Sequence, residues 1–102
     1  MLVATEFGRT AAVNGTRGTD HGTGAAAFLL GGAVAGGRVA GSWPGLSAGA
    51  LYQGRDLAAT TDLRAVMKGV LREHLGITPE HLEREVFPDS RSSGVMQGLV
   101  RA

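Results

Sequence analysis

Glycine is the feature that most limits what this chain can build. Seventeen of its 102 residues are glycine, against an ordinary usage of roughly 7%. Each one raises the entropy lost on folding and brings no side chain to an interior. Aromatic residues, at 5% of the chain, supply little bulk in compensation. A chain of this length buries only about 60–70% of the surface its unfolded form exposes, so a thin core that leans on neighbours is expected. Disorder is the competing outcome, but 43% hydrophobic content and one strongly periodic segment oppose it.

Charge excludes two classes of partner. Ten Lys and Arg are scattered among nine acids for a formal net charge of +1, which leaves no electrostatic footprint for nucleic acid or an anionic membrane surface. The absence of cysteine removes disulfides and thiolate metal sites, so any metal must use His, Asp or Glu. It leaves the compartment open. The opening Met1–Glu6 has neither the basic segment nor the apolar run of a signal peptide, and the longest apolar stretch, Ala25–Leu30, is far short of the roughly 20 residues of a membrane helix.

The chain is expected to form one partial domain: a strand-and-loop region over 1–46, a connection over 47–61, a helical segment over 62–89 and a tail over 90–102. Leu2–Thr5 reads as a short buried strand that delivers Glu6 to a site at its C-terminal end. Gly8–Gly24 is polar and glycine-rich, with Asn14-Gly15 and Arg17-Gly18 as turns, and is expected to line a site. Ala25–Leu30 reads as a second buried strand and Arg38–Gly41 as a third, with Trp43 as an apolar plug beneath a loop. Leu63, Val66, Met67, Val70, Leu71 and Leu75 share one face of a helix over 62–75, capped by Thr61 and stopped by Gly76. Lys68, Arg72 and Glu73 are then its solvated face. Thr78-Pro79-Glu80 opens a shorter helix that ends before Pro88, and Val95, Met96, Leu99 and Val100 in the tail can pack on the body.

Gly18-Thr19-Asp20-His21-Gly22 is the segment most able to carry chemistry. Glycines on both sides let a tight backbone aim a carboxylate and an imidazole at one divalent cation. The plainer reading has Asp20 capping a turn and His21 donating a loop hydrogen bond. Arg9, close after Glu6, can pair with that acid or bind a phosphate or sulfate in bidentate fashion. His74 and His81 are expected to be structural. The paired glycines 31–32 and 36–37 lack the Lys-Ser or Lys-Thr that completes a phosphate loop, and read as turns.

Several motifs occur together and in order: Glu6-Phe7-Gly8-Arg9-Thr10, Gly18-Thr19-Asp20-His21-Gly22, Gly36-Gly37-Arg38-Val39, Trp43-Pro44-Gly45-Leu46, Arg55-Asp56-Leu57 and Val86-Phe87-Pro88. The run resembles the C-terminal part of the DUF1501 family, bacterial proteins that are sulfatase-like and typically exported by the twin-arginine route. The resemblance implies an α/β fold, here a C-terminal fragment of an alkaline-phosphatase-like α/β/α sandwich with short strands and one or two helices. It also implies divalent metal at the C-terminal edge of a sheet, a Ser, Thr or modified Cys nucleophile, and a periplasmic or secreted location.

Two alignments onto that superfamily are open. In one, Asp20-His21-Gly22 is itself the Asp-His ligand pair. In the other, preferred on order and spacing, Glu6 stands in the aspartate position, Phe7 replaces the paired histidine, and His21 is the later ligand. The expected metal ligands are therefore Glu6, Asp20 and His21, with Arg9 as an anion clamp. That set mixes carboxylate oxygen with imidazole nitrogen and so suits zinc, manganese or iron better than calcium. The function implied is hydrolysis of a small anionic phosphate or sulfate ester, with the nucleophile in the remainder of a parent protein and no activity in this chain alone. Phe7, which cannot ligate, and Glu6, which departs from the usual ligand set, favour the alternative of a non-catalytic exported binding or structural module, or of a truncated reading frame.

Overall fold

The computed structural model describes residues 1–101. It is a small α/β fold of short antiparallel strands and two helices. The chain gathers into two compact units, one of residues 1–29 with 40–60, the other of residues 30–39 with the described chain from Thr61 onward.

In the first unit β1 (Leu2–Val3) pairs antiparallel with β4 (Phe28–Leu29), Leu2 opposite Leu29 and Val3 opposite Phe28. Between them β2 (Gly8–Arg9) pairs antiparallel with β3 (His21–Gly22), Gly8 opposite Gly22 and Arg9 opposite His21. The two outer strands are not the buried strands the apolar pattern predicts, since Phe28 remains 63% exposed and Val3 opposite it is also exposed. An apolar run marks a face that prefers cover; it does not say what covers it. Trp43 is likewise 69% exposed and plugs nothing. A tight turn closes the unit: Gln53 and Gly54 both take positive φ, 53° and 71°, the pairing a type I′ turn requires. It lets Tyr52 and Asp56 exchange backbone hydrogen bonds of 2.7 and 3.1 Å.

The second unit is built on α1 (Leu63–Leu75). Asp62, not Thr61, is its N-cap: the Asp62 carboxylate accepts from the Arg64 amide at 2.9 Å. Gly76 ends it in the left-handed conformation at φ 68°, its amide donating to Arg72 O. The face that packs deepest is Ala65, Lys68 and Gly69, one step round from the predicted stripe, and Leu75 is exposed. The tail causes this rotation. Met96 donates to the Ala65 carbonyl at 3.0 Å, and the chain there crosses directly over Gly69.

α2 (Pro79–His81) starts at Thr78, whose hydroxyl accepts from the His81 amide, with Pro79 at the first helical position. It runs on into a wider π-type turn over Leu82–Val86 before Pro88. Leu82, Ala65 and Leu99 are the buried apolar side chains. No strand forms at Arg38–Gly41. Val39 is 98% exposed, and the Arg38 guanidinium instead donates to the carbonyls of Ala35 and Gly98. Val34 makes the unit's bridge, opposite Val100. Of the predicted tail, Ala102 lies outside the described residues. Among the described residues no helix is long and apolar enough to cross a membrane.

Candidate functional site

The segments singled out in the sequence converge in the first unit, on the β2–β3 hairpin. Thr10 extends it toward the connecting loop: the Thr10 amide donates to Asp20 O at 3.0 Å and its hydroxyl accepts from the Asp20 amide at 3.2 Å. Asn14 organises the connection. Its Oδ1 accepts from the Thr16 amide, the Thr16 hydroxyl and the Gly18 amide at 2.8–3.0 Å, and its Nδ2 donates to Asp20 Oδ1 at 3.0 Å. Seven glycine-rich loop residues thus acquire a fixed path without a core, because one amide side chain substitutes for a layer of backbone bonds.

The hairpin presents His21 and Arg9 as opposed residues, which in an antiparallel pair share a face. The His21 ring lies flat against Phe7, with centroids 3.9 Å apart and planes 27° from parallel. Phe7, read from the sequence as standing in place of the paired histidine, thus supports the imidazole of the later candidate ligand, His21. Arg9 does not pair with Glu6 but donates from Nη1 to Thr19 O at 3.0 Å. Beside β2 an open depression of about 710 Å³ is lined by residues 5–9 and 24–26, with Glu6 and Arg9 on its walls. Glu6, Arg9, Asp20 and His21 are all exposed.

The structure brings Arg9 and His21 together in register and leaves Glu6 on the depression. Asp20 is drawn away to Asn14. Among the described residues no three His, Asp or Glu side chains form a group able to hold a metal ion, so Glu6, Asp20 and His21 do not converge as one ligand set. The chain by itself therefore does not fit the three protein ligands of a catalytic zinc site.

The site's one buried carboxylate is Asp56, which the residue types alone had not marked. It is 5% exposed. Its Oδ2 accepts from the Thr23 amide at 2.6 Å and the Thr23 hydroxyl at 2.8 Å. The Thr23 amide first, then the Thr23 hydroxyl, hold the Asp56 carboxyl below its ordinary range against the opposing effect of burial. Oδ1 is sealed from solvent without a close hydrogen-bond donor and packs on Gly22, where an added Cβ would lie 2.5 Å from it. The available signal was a lone acid between the Gly54 turn and apolar Leu57.

Gly8 and Gly24 complete this contact. A Cβ on Gly8 would run into the Gly24 carbonyl, and one on Gly24 into the Leu57 carbonyl. Residues 6–10, 20–24 and 55–57 therefore stack backbone on backbone, and side chains would separate them.

A family model described as a protein of unknown function (DUF1501) matches residues 1–87, which include every part of this site. No curated protein and no solved structure matches the chain.

Proposed function

The chain belongs to the DUF1501 family, and from that premise we propose that it is the C-terminal piece of an exported, metal-dependent phosphate or sulfate ester hydrolase, inactive by itself. The fold proposed for the parent is the alkaline-phosphatase-like α/β/α sandwich, reached through the twin-arginine route to the periplasm or beyond. The observation that carries this reading is the pairing of Arg9 with His21 across β2 and β3, beside an open depression that also exposes Glu6. An imidazole opposite a guanidinium, and a carboxylate on the depression that the same guanidinium lines, are the donor types that recognise a divalent cation and an anionic ester.

In such a hydrolase a bound cation would supply polarisation of the ester oxygen, and the parent's nucleophile would attack in line. Glu6, Asp20 and His21 would each be at most a single donor toward zinc, manganese or iron, since they do not gather on one point, and Arg9 would face an anionic oxygen. The nucleophile and the remaining ligands would come from the parent. Full-length protein loaded with zinc is expected to hydrolyse an aryl phosphate or aryl sulfate, with loss of turnover in His21→Ala, while the 102-residue chain gives none. Full-length turnover indifferent to both His21→Ala and removal of metal would overturn the reading.

One observation favours a second reading, a non-catalytic binding module. Phe7 covers a face of the His21 ring, and the chain's own acids do not gather round it. Retention of a small anion by full-length protein without turnover or bound metal would select that alternative.

A further inference from the structure

Resting on the reading of His21 as a functional group, we propose that Asp56, acting through Thr23, is a positioning residue that fixes the presented conformation of His21. Thr23 lies two residues after His21, and Gly22 lies between them. Asp56 holds both: one carboxylate oxygen takes the amide and hydroxyl of Thr23, and the other is pressed on the Cα of Gly22. A Cβ added at Gly22 would also lie 3.0 Å from the Arg9 carbonyl carbon, so the carboxylate and β2 together crowd the position that only glycine leaves open. The peptide after His21 is thus held by the bonds of Thr23 to a buried carboxylate and by the pairing of β3 with β2, and it cannot turn without breaking one of them.

The clamp is itself anchored. Arg55 O accepts from the Ala11 and Ala12 amides at 2.8 and 3.0 Å, on the chain that continues β2, while Asp56 holds the chain that continues β3. One dipeptide therefore straps both arms of the hairpin. The type I′ turn over Tyr52–Arg55 keeps it there, through the hydrogen bond of 2.7 Å from the Tyr52 amide to Asp56 O. With both arms held, the His21 ring rests on Phe7 and the residue stays exposed.

Asparagine is a sharp test of this role. It keeps the volume of aspartate but exchanges one acceptor oxygen for a donor NH₂, and loses the charge that strengthens the bonds to Thr23. The readout is the ring-proton NMR signals of His21, which stacking on Phe7 shifts upfield; Phe7→Leu in the same chain identifies that shift. In Asp56→Asn and in Thr23→Val most of the shift is expected to vanish while the amide signals of α1 stay in place. Thr23→Ser, which keeps the hydroxyl, is expected to retain it.

A folded Asp56→Asn chain with unchanged His21 ring signals overturns the proposal. If that variant does not fold, the threonine pair decides: Thr23→Val matching wild type overturns it, and loss in Thr23→Val with retention in Thr23→Ser supports it. Zinc ion added to wild type separates the metal reading from this one. Zinc that perturbs the His21 signals, with affinity falling at least about tenfold in Asp56→Asn as removal of a supporting partner does, supports both. No response to zinc, with the ring shift still tied to Asp56, sinks the metal reading and supports the positioning role.

Discussion

Lys68 has no exposed surface, yet its ammonium is held by neutral oxygens: Nζ donates to Ser90 O at 2.8 Å and to Ser90 Oγ at 3.1 Å. Burying a cation against neutral partners is costly, so the stem must return stability through packing. The Ser90 carbonyl does not depend on the lysine, since it also accepts from the Ser93 amide at 3.0 Å and the Ser93 hydroxyl at 2.8 Å. Lys68→Met, which keeps the stem and removes the charge, is therefore expected to stay within about 1.5 kcal/mol of wild type or exceed it. Lys68→Ala is expected to lose about 2–4 kcal/mol by opening a cavity. Urea unfolding at neutral pH compares them, and equal losses in both would show that the charge itself is required.

Sequence alone places Lys68 on a solvated face, and Glu73 with it. Glu73 instead accepts from the Gly98 and Leu99 amides at 3.1 and 2.9 Å, and the Leu99 amide leads in holding its carboxyl below the ordinary range. In both cases the partner lies more than 20 residues along the chain, and helical periodicity carries no information about it. Asp56 was hidden for the same reason, its partner Thr23 being 33 residues away. His21 and Arg9 were singled out from local features, the glycines on both sides of the Asp20-His21 pair and the place of Arg9 close after Glu6, but their register across β2 and β3 is not among those features.

At the scale of elements, β1 and β4 fall within the apolar runs read as strands, β2 and β3 were missed because a two-residue ladder contains no period to detect, and α1 was legible from its 3.6-residue period. Its start was displaced by one residue because Thr61 and Asp62 are both good caps, and Arg64 settles the choice. It donates to Asp62 through its amide and, at 3.0 and 2.7 Å, through its side chain. The Arg64 side chain, then its amide, pull the Asp62 carboxyl from 3.8 to about 2. A carboxyl depressed in the folded state takes its proton more readily when unfolded, so its contribution is full above the unfolded value and is lost as pH falls through about 2. Asp62→Ala is expected to lose about 1 kcal/mol near neutral pH, the usual value of a cap. The difference from wild type should shrink as pH falls from 3.8 towards 2. Urea midpoints of the pair against pH check this, and a constant difference would assign the loss to something other than the carboxylate.

The same helix reverses an ordinary propensity rule. Glycine to alanine inside a helix normally gains up to about 1 kcal/mol. At Gly69 the new Cβ would run into the Met96 carbonyl and meet Leu99 Cδ1 at 3.2 Å, and a backbone oxygen tied to the Ala65–Met96 contact cannot rotate aside. Gly69→Ala is therefore expected to destabilise by about 1–3 kcal/mol, the range for overpacking. Gly49, with nothing within 4 Å of its added Cβ, is the control, and Gly49→Ala should leave stability within about 0.5 kcal/mol. A stabilised Gly69→Ala chain would show that the tail does not press on α1.

For the whole molecule the balance of forces follows from what each unit buries. The buried apolar side chains, Ala65, Leu82 and Leu99, all lie in the unit built on α1. The other unit buries Thr10, Gly22, Gly24 and Asp56, so hydrogen bonds and close backbone contact hold it. A net hydrogen bond contributes only about 0.5–1.5 kcal/mol, against about 1–2 kcal/mol of backbone entropy for each residue fixed. Glycine raises that entropy further. Meanwhile Val3, Phe28, Val39, Trp43, Leu46 and Tyr52 leave apolar surface in water, and the two-stranded ladders expose unpaired edges. The 102-residue chain is thus expected to unfold below about 65 °C, the upper end for mesophile domains, to bind a hydrophobic dye while native, and to associate on warming. Calorimetry with light scattering on a monomeric sample measures all three. A sharp cooperative transition above about 65 °C, without dye binding, would mean that close backbone packing around Gly8, Gly22 and Gly24 stabilises a fold as well as an apolar interior does.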